Sequence, residues 1–353
     1  MTSRGRAARL SRLGRSAAAL SRSIARRGRA LSPEWRRWLA DNLGAGVDPE
    51  RLRETLDEHG VPPAEATLRL ACAAEQVARA RVQATRAARA EQVLRLRASL
   101  RAATIERRQA PPAAEFFAAY WRTNTPVILT DVVERWPAFR RWSIASLRER
   151  FGELEVEYEG GRAGDPECDI RHLAHRQVGT FAEYLDRVSA AAPGNDLYLI
   201  ANNRLLARPG FRPLLEELLL PPGYFAEERL AAGSALWLGP AGTVTSLHHD
   251  TSNILFCQVV GRKRLRLGAP DDLALLAGGR GVYSRLDPES PELPSAAEGG
   301  PHFYDLELAP GEALFIPVGW WHHVRALDLS ISVALNAFAG ANVFAWYKPG
   351  ALP

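Results

Sequence analysis

The sequence predicts an α+β protein, with a helical amino-terminal region followed by a β-rich domain folded as a sandwich or small barrel. Two observations carry this. From Pro63 to Arg108 the chain is rich in Ala, Arg, Leu and Gln and has no internal proline or glycine, which makes one long helix or two abutting ones. Beyond Pro111-Pro112, tryptophan, proline and β-branched residues appear in short apolar runs punctuated by glycine and proline, the pattern of many short strands.

The elements follow in order. Residues 1–31 hold nine arginines and no acid, so the +5 net charge of the 353-residue chain sits at one end and the rest sums to −4. At helical spacing, Leu10, Leu13, Ala17, Leu20, Ile24 and Leu31 share a face opposite most of these arginines. Gly5, Gly14 and Gly28 weaken such a helix, and the expectation is a solvated, partly disordered tail. Its functional alternatives are contact with an anionic surface or nucleic acid, or a mitochondrial presequence.

Residues 32–110 are the helical region. Ser32-Pro33-Glu34 and Asp48-Pro49-Glu50 each combine an N-cap, a proline at the first helical position and a first-turn acid, and Gly60 closes the second helix. The long helix needs a partner for its apolar stripe, either the next domain or a second copy in a homodimer.

Residues 111–353 form the β-rich domain. Pro126–Thr130, Leu197–Ile200, Ala235–Leu238, Ile254–Val260, Arg264–Leu267, Phe303–Leu308, Ala313–Ile316 and Ser330–Leu335 read as strands, and helical segments interleave between Phe139 and Leu219. With 46% hydrophobic and 24% charged residues, the composition is that of a soluble globular protein. Cys72, Cys168 and Cys257 are far apart and form no CxxC pair, which excludes a disulfide framework and a thiolate zinc site. Nothing in the chain is apolar for long enough to span a bilayer. Together with the absence of a secretory h-region, these features point to a bacterial-type cytoplasm.

The chemistry concentrates in Thr245 to Asp250, TSLHHD, between a glycine-proline turn and a strand. In extended backbone, residues two apart share a face, so His248 and Asp250 point together and His249 points away. An imidazole and a carboxylate on one face are two parts of the 2-His-1-carboxylate set that holds Fe(II) with adjacent positions open. The third ligand must be a remote histidine: His302, His322 or His323. The pair in Ile316 to Val324, IPVGWWHHV, is the stronger source, since its two tryptophans could wall off a metal, but alternation does not separate His322 from His323.

These residues resemble the JmjC, or cupin-like, Fe(II)/2-oxoglutarate oxygenases. That family carries an HxD pair, then a strand NxxxQVxGxK, then GxxxxIPxxWWHxV. Here the matching stretches are His248 to Asp250, Asn253 to Lys263 (NILFCQVVGRK) and Gly311 to Val324 (GEALFIPVGWWHHV). Upstream, TPVIL from Thr125 and RWPAFRRW from Arg135 resemble the family's first strand and helix, so the likeness spans roughly 113–347.

The resemblance implies a double-stranded β-helix, or jelly roll, with His248, Asp250 and His322 as both metal ligands and catalytic residues. It assigns Lys263 to the far carboxylate of 2-oxoglutarate and Thr245 to a hydrogen bond with it, and sets Tyr198 and Asn336 near positions that line the cosubstrate pocket. Asn253 stands one place earlier than the family's asparagine, with Ile254 in its slot, which leaves open which of the two meets cosubstrate.

The implied cofactors are Fe(II), 2-oxoglutarate and O2, and the implied reaction hydroxylates an amino-acid side chain of a protein or peptide while 2-oxoglutarate becomes succinate and CO2. The alternatives are the same chemistry on a small metabolite or N-methyl-lysine, and a non-catalytic metal-binding cupin. His249 and His323 are expected to pack or to support the ligands, His302 to be a polar residue at a strand start, and the His172/His175 pair, beside Cys168 and Asp169, to be a surface pair rather than part of a metal cluster.

Overall fold

The computed structural model describes residues 33–200 and 204–348. The predictions for the arginine-rich tail, its possible roles as presequence or anionic-surface contact included, lie outside the described residues. Among those described, no helix is long and apolar enough to cross a membrane.

The chain divides into two compact units between Leu96 and Arg97. In the first, helices α1 (Pro33–Gly44), α2 (Pro49–Glu58) and α3 (starting at Pro63) bury Leu39, Leu52, Leu56, Ala66, Leu70 and Ala73 in a small core. Asp48 caps α2 as its sequence signal requires, its carboxylate accepting from the Glu50 amide.

The long helix is shorter than the sequence predicts. It ends at Ser99, and Glu106–Arg108 forms strand β1, paired in parallel with β2 (Val127–Leu129). Propensity favours helix through these charged residues, but as an edge strand they gain a neighbour's ladder of hydrogen bonds, which propensity does not register. The second unit therefore starts ahead of the expected boundary at residue 111.

That unit is a sandwich of two six-stranded sheets. Its further strands are β3 (Glu155–Gly160), β4 (Arg176–Thr180), β5 (Leu197–Tyr198), β6 (Ser234–Gly239), β7 (Val244–His248), β8 (Ile254–Val260), β9 (Lys263–Gly268), β10 (Gly279–Arg280), β11 (Tyr283–Ser284), β12 (Phe303–Leu308), β13 (Ala313–Ile316), β14 (Trp321–Ala326) and β15 (Ser330–Leu335). One sheet runs β1-β2-β13-β8-β15-β6, the other β10-β11-β7-β14-β9-β12, and β4-β3-β5 forms a small third sheet.

Strand β8 shows why the sequence gives this architecture. Leu255, Cys257 and Val259 face a core shared with helical segments such as Phe181–Ala190, while Ile254 and Phe256 face the opposite sheet. Both faces are covered, so the strand reads as a continuous apolar run. Between the sheets, Ile128, Leu265, Leu267, Leu314, Ile316 and Val324 close one end of the sandwich. The other end is left open as a cavity.

Candidate metal centre and cosubstrate pocket

The cavity encloses ≈ 390 Å³ and is lined by residues from both sheets, among them Tyr198, Trp237, Thr245, His248, Asp250, Ile254, Tyr283, His322 and Asn336. His248 ends β7 and His322 lies near the start of β14, and the antiparallel pairing sets the two directly opposite each other. Their ring centroids are 4.1 Å apart, and His322 Nε2 lies 3.5 Å from Asp250 Oδ2. One ligand atom from each of His248, Asp250 and His322 lies within 4.8 Å of the other two.

Both imidazoles are oriented in the same way. His248 Nδ1 lies 2.7 Å from the Ser246 carbonyl, and His322 Nδ1 lies 3.0 Å from the Trp320 carbonyl. A carbonyl only accepts, so each Nδ1 carries the proton and each Nε2 presents a lone pair to the cavity. Metal-binding histidines are oriented by this kind of backbone contact. Burial first, then proximity to His248, pulls the His322 pKa down to about 4, which keeps the ring neutral and able to ligate. Two imidazoles and a carboxylate suit a divalent first-row metal such as Fe(II).

His249 points away from His248 and Asp250, as strand alternation requires. Its ring is buried away from the cavity, edge-on to Trp321 at 4.7 Å and to Tyr347 at 5.4 Å. His323 also turns away, to the outer face of β14 beside Asp287 and Glu289. Glu289 is already paired with Arg325 there. His302 is exposed, just before β12. Of the other grouping considered, Asp169 is buried in an ion pair with Arg162, and His175 pairs with Asp165.

Neither tryptophan of the WWHH segment lines the cavity. Trp320 sits in the core between the sheets and donates to Asn124. Trp321 packs on the outer face with Leu247 and Leu275. The turn that precedes them is what matters: Gly319 adopts a left-handed φ of +82°, and a Cβ there would meet the Tyr347 ring at 2.8 Å. Its amide donates to the Asp250 carbonyl at 3.1 Å, tying the acid's backbone to the segment that carries His322.

Asn253 and Ile254 separate cleanly. The Asn253 carboxamide accepts from the Val318 amide at 2.9 Å and donates to Asn342 at 2.9 Å, away from the cavity. Ile254 lines the cavity instead. Asn253 is thus a latch on the turn before His322.

Thr245 lines the cavity together with His248, although the two are three residues apart on one strand. A register shift makes this possible. His322 opposes His248 and Val324 opposes Thr245, so two steps on β14 match three on β7. The extra residue is a β-bulge, and it returns Thr245 to the face that His248 occupies.

Lys263 is fully buried at the start of β9 and stands behind the cavity wall. Its ammonium donates to Tyr198 Oη at 3.1 Å and lies 5.2 Å from the Phe256 ring centroid. Tyr198 and Phe256 both face the cavity. Among the described residues the ammonium makes no ion pair with a carboxylate, the arrangement expected of a cation set to meet an anionic guest. Ser234 Oγ and Trp237 Nε1 are buried without a hydrogen-bond partner among the described residues, and both residues line the cavity. Sequence reading missed these two, along with Tyr283 and Arg204. Trp237 lay within a predicted strand, but nothing marked which face it took.

A family model described as a cupin-like domain matches residues 113–341. The chain belongs to the cupin-like domain family. Among curated relatives, it is 30% identical over 246 residues to lysine-specific demethylase 8 of Xenopus tropicalis, covering 65% of this chain and 52% of that protein. It is 30% identical over 245 residues to Jumonji C domain-containing protein 5 of Drosophila melanogaster, covering 64% and 57%. Lysine-specific demethylase JMJ30 of Arabidopsis thaliana is 31% identical over 251 residues, covering 67% and 55%. The chain thus spans little more than half the length of these relatives. JmjC proteins of this kind use Fe(II), 2-oxoglutarate and O2, and the donor set described above fits that metal.

Proposed function

We propose that this protein is an Fe(II)/2-oxoglutarate-dependent oxygenase that hydroxylates an amino-acid side chain of a protein or peptide. The observation that carries the reading is the trio His248, Asp250 and His322, with both imidazoles held at Nδ1 by a backbone carbonyl so that Nε2 is the nitrogen left to ligate. When bound, Fe(II) with 2-oxoglutarate and O2 supplies oxidising power for a C–H bond, leaving succinate and CO2. The chain's own residues bind and orient. His248, Asp250 and His322 would hold the metal. Lys263, through Tyr198, supplies the positive end for the cosubstrate's far carboxylate, and Thr245 and Asn336 add hydrogen-bonding groups along the wall.

The side-chain substrate is supported by the size of the cavity. A volume of ≈ 390 Å³ stands near the small end of ligand sites, and it must take cosubstrate as well as the reacting group. A single side chain reaching in from an external backbone fits that space better than a second whole metabolite.

A second reading, removal of a methyl group from N-methyl-lysine, is favoured by the names of the Xenopus and Arabidopsis relatives. It begins with the same C–H hydroxylation, after which the carbon leaves as formaldehyde. The test is incubation of the protein with Fe(II), 2-oxoglutarate and a peptide mixture containing methylated and unmethylated lysines, read by mass spectrometry and by succinate release. Gain of one oxygen with succinate supports hydroxylation. Loss of a methyl group with formaldehyde would turn the reading to demethylation, and no succinate from any peptide would count against both.

A further inference from the structure

Strand β7 has a neighbour on only part of one edge. On one side it pairs with β14, but on the other β11 reaches it at His248 alone, through Tyr283. The edge-facing backbone groups of Val244 and Ser246 are instead taken by side chains. The Val244 amide donates to Asn195 Oδ1 at 2.8 Å, and its carbonyl accepts from Arg162 Nη2 at 3.0 Å. The Ser246 amide donates to Asp169 Oδ2 at 2.8 Å, and its carbonyl holds His248 Nδ1 at 2.7 Å. These contacts fall on the segment that carries the bulge, and they bracket Thr245.

Arg162 and Asp169 are bound to each other at 2.9 Å, and Arg162 also pairs with Glu159 at the end of β3. The guanidinium is fully buried and lies 5.3 Å from the ring centroid of Tyr198, the residue that accepts from Lys263. Tyr283, which lines the cavity, donates to the Asp169 carbonyl at 3.2 Å. The bulge lies in the β7–β14 ladder, and with the opposite edge of β7 unpinned it is free to slip by one residue, which would turn Thr245 to the other face. A fixed acceptor at Ser246 and a fixed donor at Val244 remove that freedom.

We infer that the Glu159–Arg162–Asp169 chain is a positioning device, one that fixes the β7 bulge and so puts Thr245 and His248 on the same cavity wall. Asp169 lines the cavity, but its two carboxylate oxygens are taken by Arg162 and the Ser246 amide, so the chain acts through the backbone of β7 and the ring of Tyr198. This goes beyond the function proposed above and rests on its His248–Asp250–His322 site.

The test uses the full chain with Mn(II), a redox-silent metal, and 2-oxoglutarate, followed by calorimetry, together with amide hydrogen exchange of residues 244–248. The variants are Asp169→Ala, Asp169→Asn and, as a core lesion outside the cavity lining, Leu185→Ala. With Asp169→Ala, exchange at Ser246 should accelerate and affinity for both ligands should fall by about tenfold or more, the range seen when a ligand's supporting contact is lost. Asp169→Asn keeps an acceptor for the Ser246 amide and should recover part of that loss. Leu185→Ala should lower thermal stability while leaving both affinities at the wild-type value. Wild-type affinities in Asp169→Ala would overturn the inference, as would an equal loss in Leu185→Ala. If Asp169→Ala does not fold, Asp169→Asn decides: weaker binding of 2-oxoglutarate supports the device and unchanged binding overturns it. Wild-type protein that takes up neither ligand would overturn the site reading itself, and this inference with it.

Discussion

His322 stands opposite His248 across the β7–β14 pair, with ring centroids 4.1 Å apart, and each ring's Nδ1 is held by the carbonyl two residues before it. The symmetry means that neither ring can turn its Nε2 away without breaking a hydrogen bond. His248→Ala or His322→Ala should therefore abolish stoichiometric Mn(II) binding, whereas His249→Ala and His323→Ala should retain it. Equilibrium dialysis with metal analysis separates these outcomes. Loss of metal in His323→Ala alone would move the third ligand to the outer face of β14.

Lys263 and Tyr198 make a joint prediction. Removing one partner of a buried charge pair costs roughly 3–5 kcal/mol, so Lys263→Ala should weaken 2-oxoglutarate binding by about a hundredfold or more. Tyr198→Phe removes the hydroxyl that holds the ammonium and should weaken it by about tenfold, in line with a lost hydrogen bond to a charged group. Metal affinity measured without cosubstrate should stay unchanged in both. A drop in metal affinity of equal size would mean that the lysine supports the fold rather than the cosubstrate.

Asn253→Ala should destabilise the protein by about 1–3 kcal/mol, because it leaves the half-buried Val318 amide without its acceptor and removes one hydrogen bond to Asn342, whose carboxamide keeps its backbone partners. Denaturant unfolding measures this. Unchanged stability, paired with weaker binding of 2-oxoglutarate, would instead make Asn253 a cosubstrate contact.

The buried histidines set a pH dependence for metal-free protein. Burial lowers the pKa of His249 and His323, and takes that of His322 to about 4. A folded-state pKa below the ordinary ~6.5 means that the unfolded chain binds more protons, so stability is lost as pH falls from about 6.5 toward 4. Glu159, raised by burial, pulls the other way. The three histidines outnumber it, so the unfolding midpoint of chelator-treated protein should be lower at pH 5.5 than at pH 7.5. A midpoint that holds or rises on acidification would contradict the burial of these rings in neutral form.

How far the sequence speaks differs from residue to residue. All eight apolar runs formed strands in whole or part, because burial on one or both faces selects for apolar residues. The outward turn of His249 followed from alternation alone. Thr245 did not, since the bulge that returns it to the cavity face is a property of the β7–β14 register and leaves no mark in composition. His322 and His323 could be told apart only through resemblance, because the starting face of β14 is set by the Gly319 turn. Strands β3 and β4 went unread: EVEYEG and RQVGT are too polar to resemble strands, and their charges serve ion pairs such as Glu159–Arg162. Arg162 itself looks like an ordinary surface arginine until the fold closes over it.

The most direct test of the account is an anaerobic titration of the purified protein with Fe(II) and then 2-oxoglutarate, following the weak visible charge-transfer band of the chelated metal. The account predicts a band in wild-type protein, none in His248→Ala, and a shift to far higher cosubstrate concentration in Lys263→Ala. Absence of the band in wild-type protein that binds another metal tightly would contradict the oxygenase assignment and leave a metal-binding cupin.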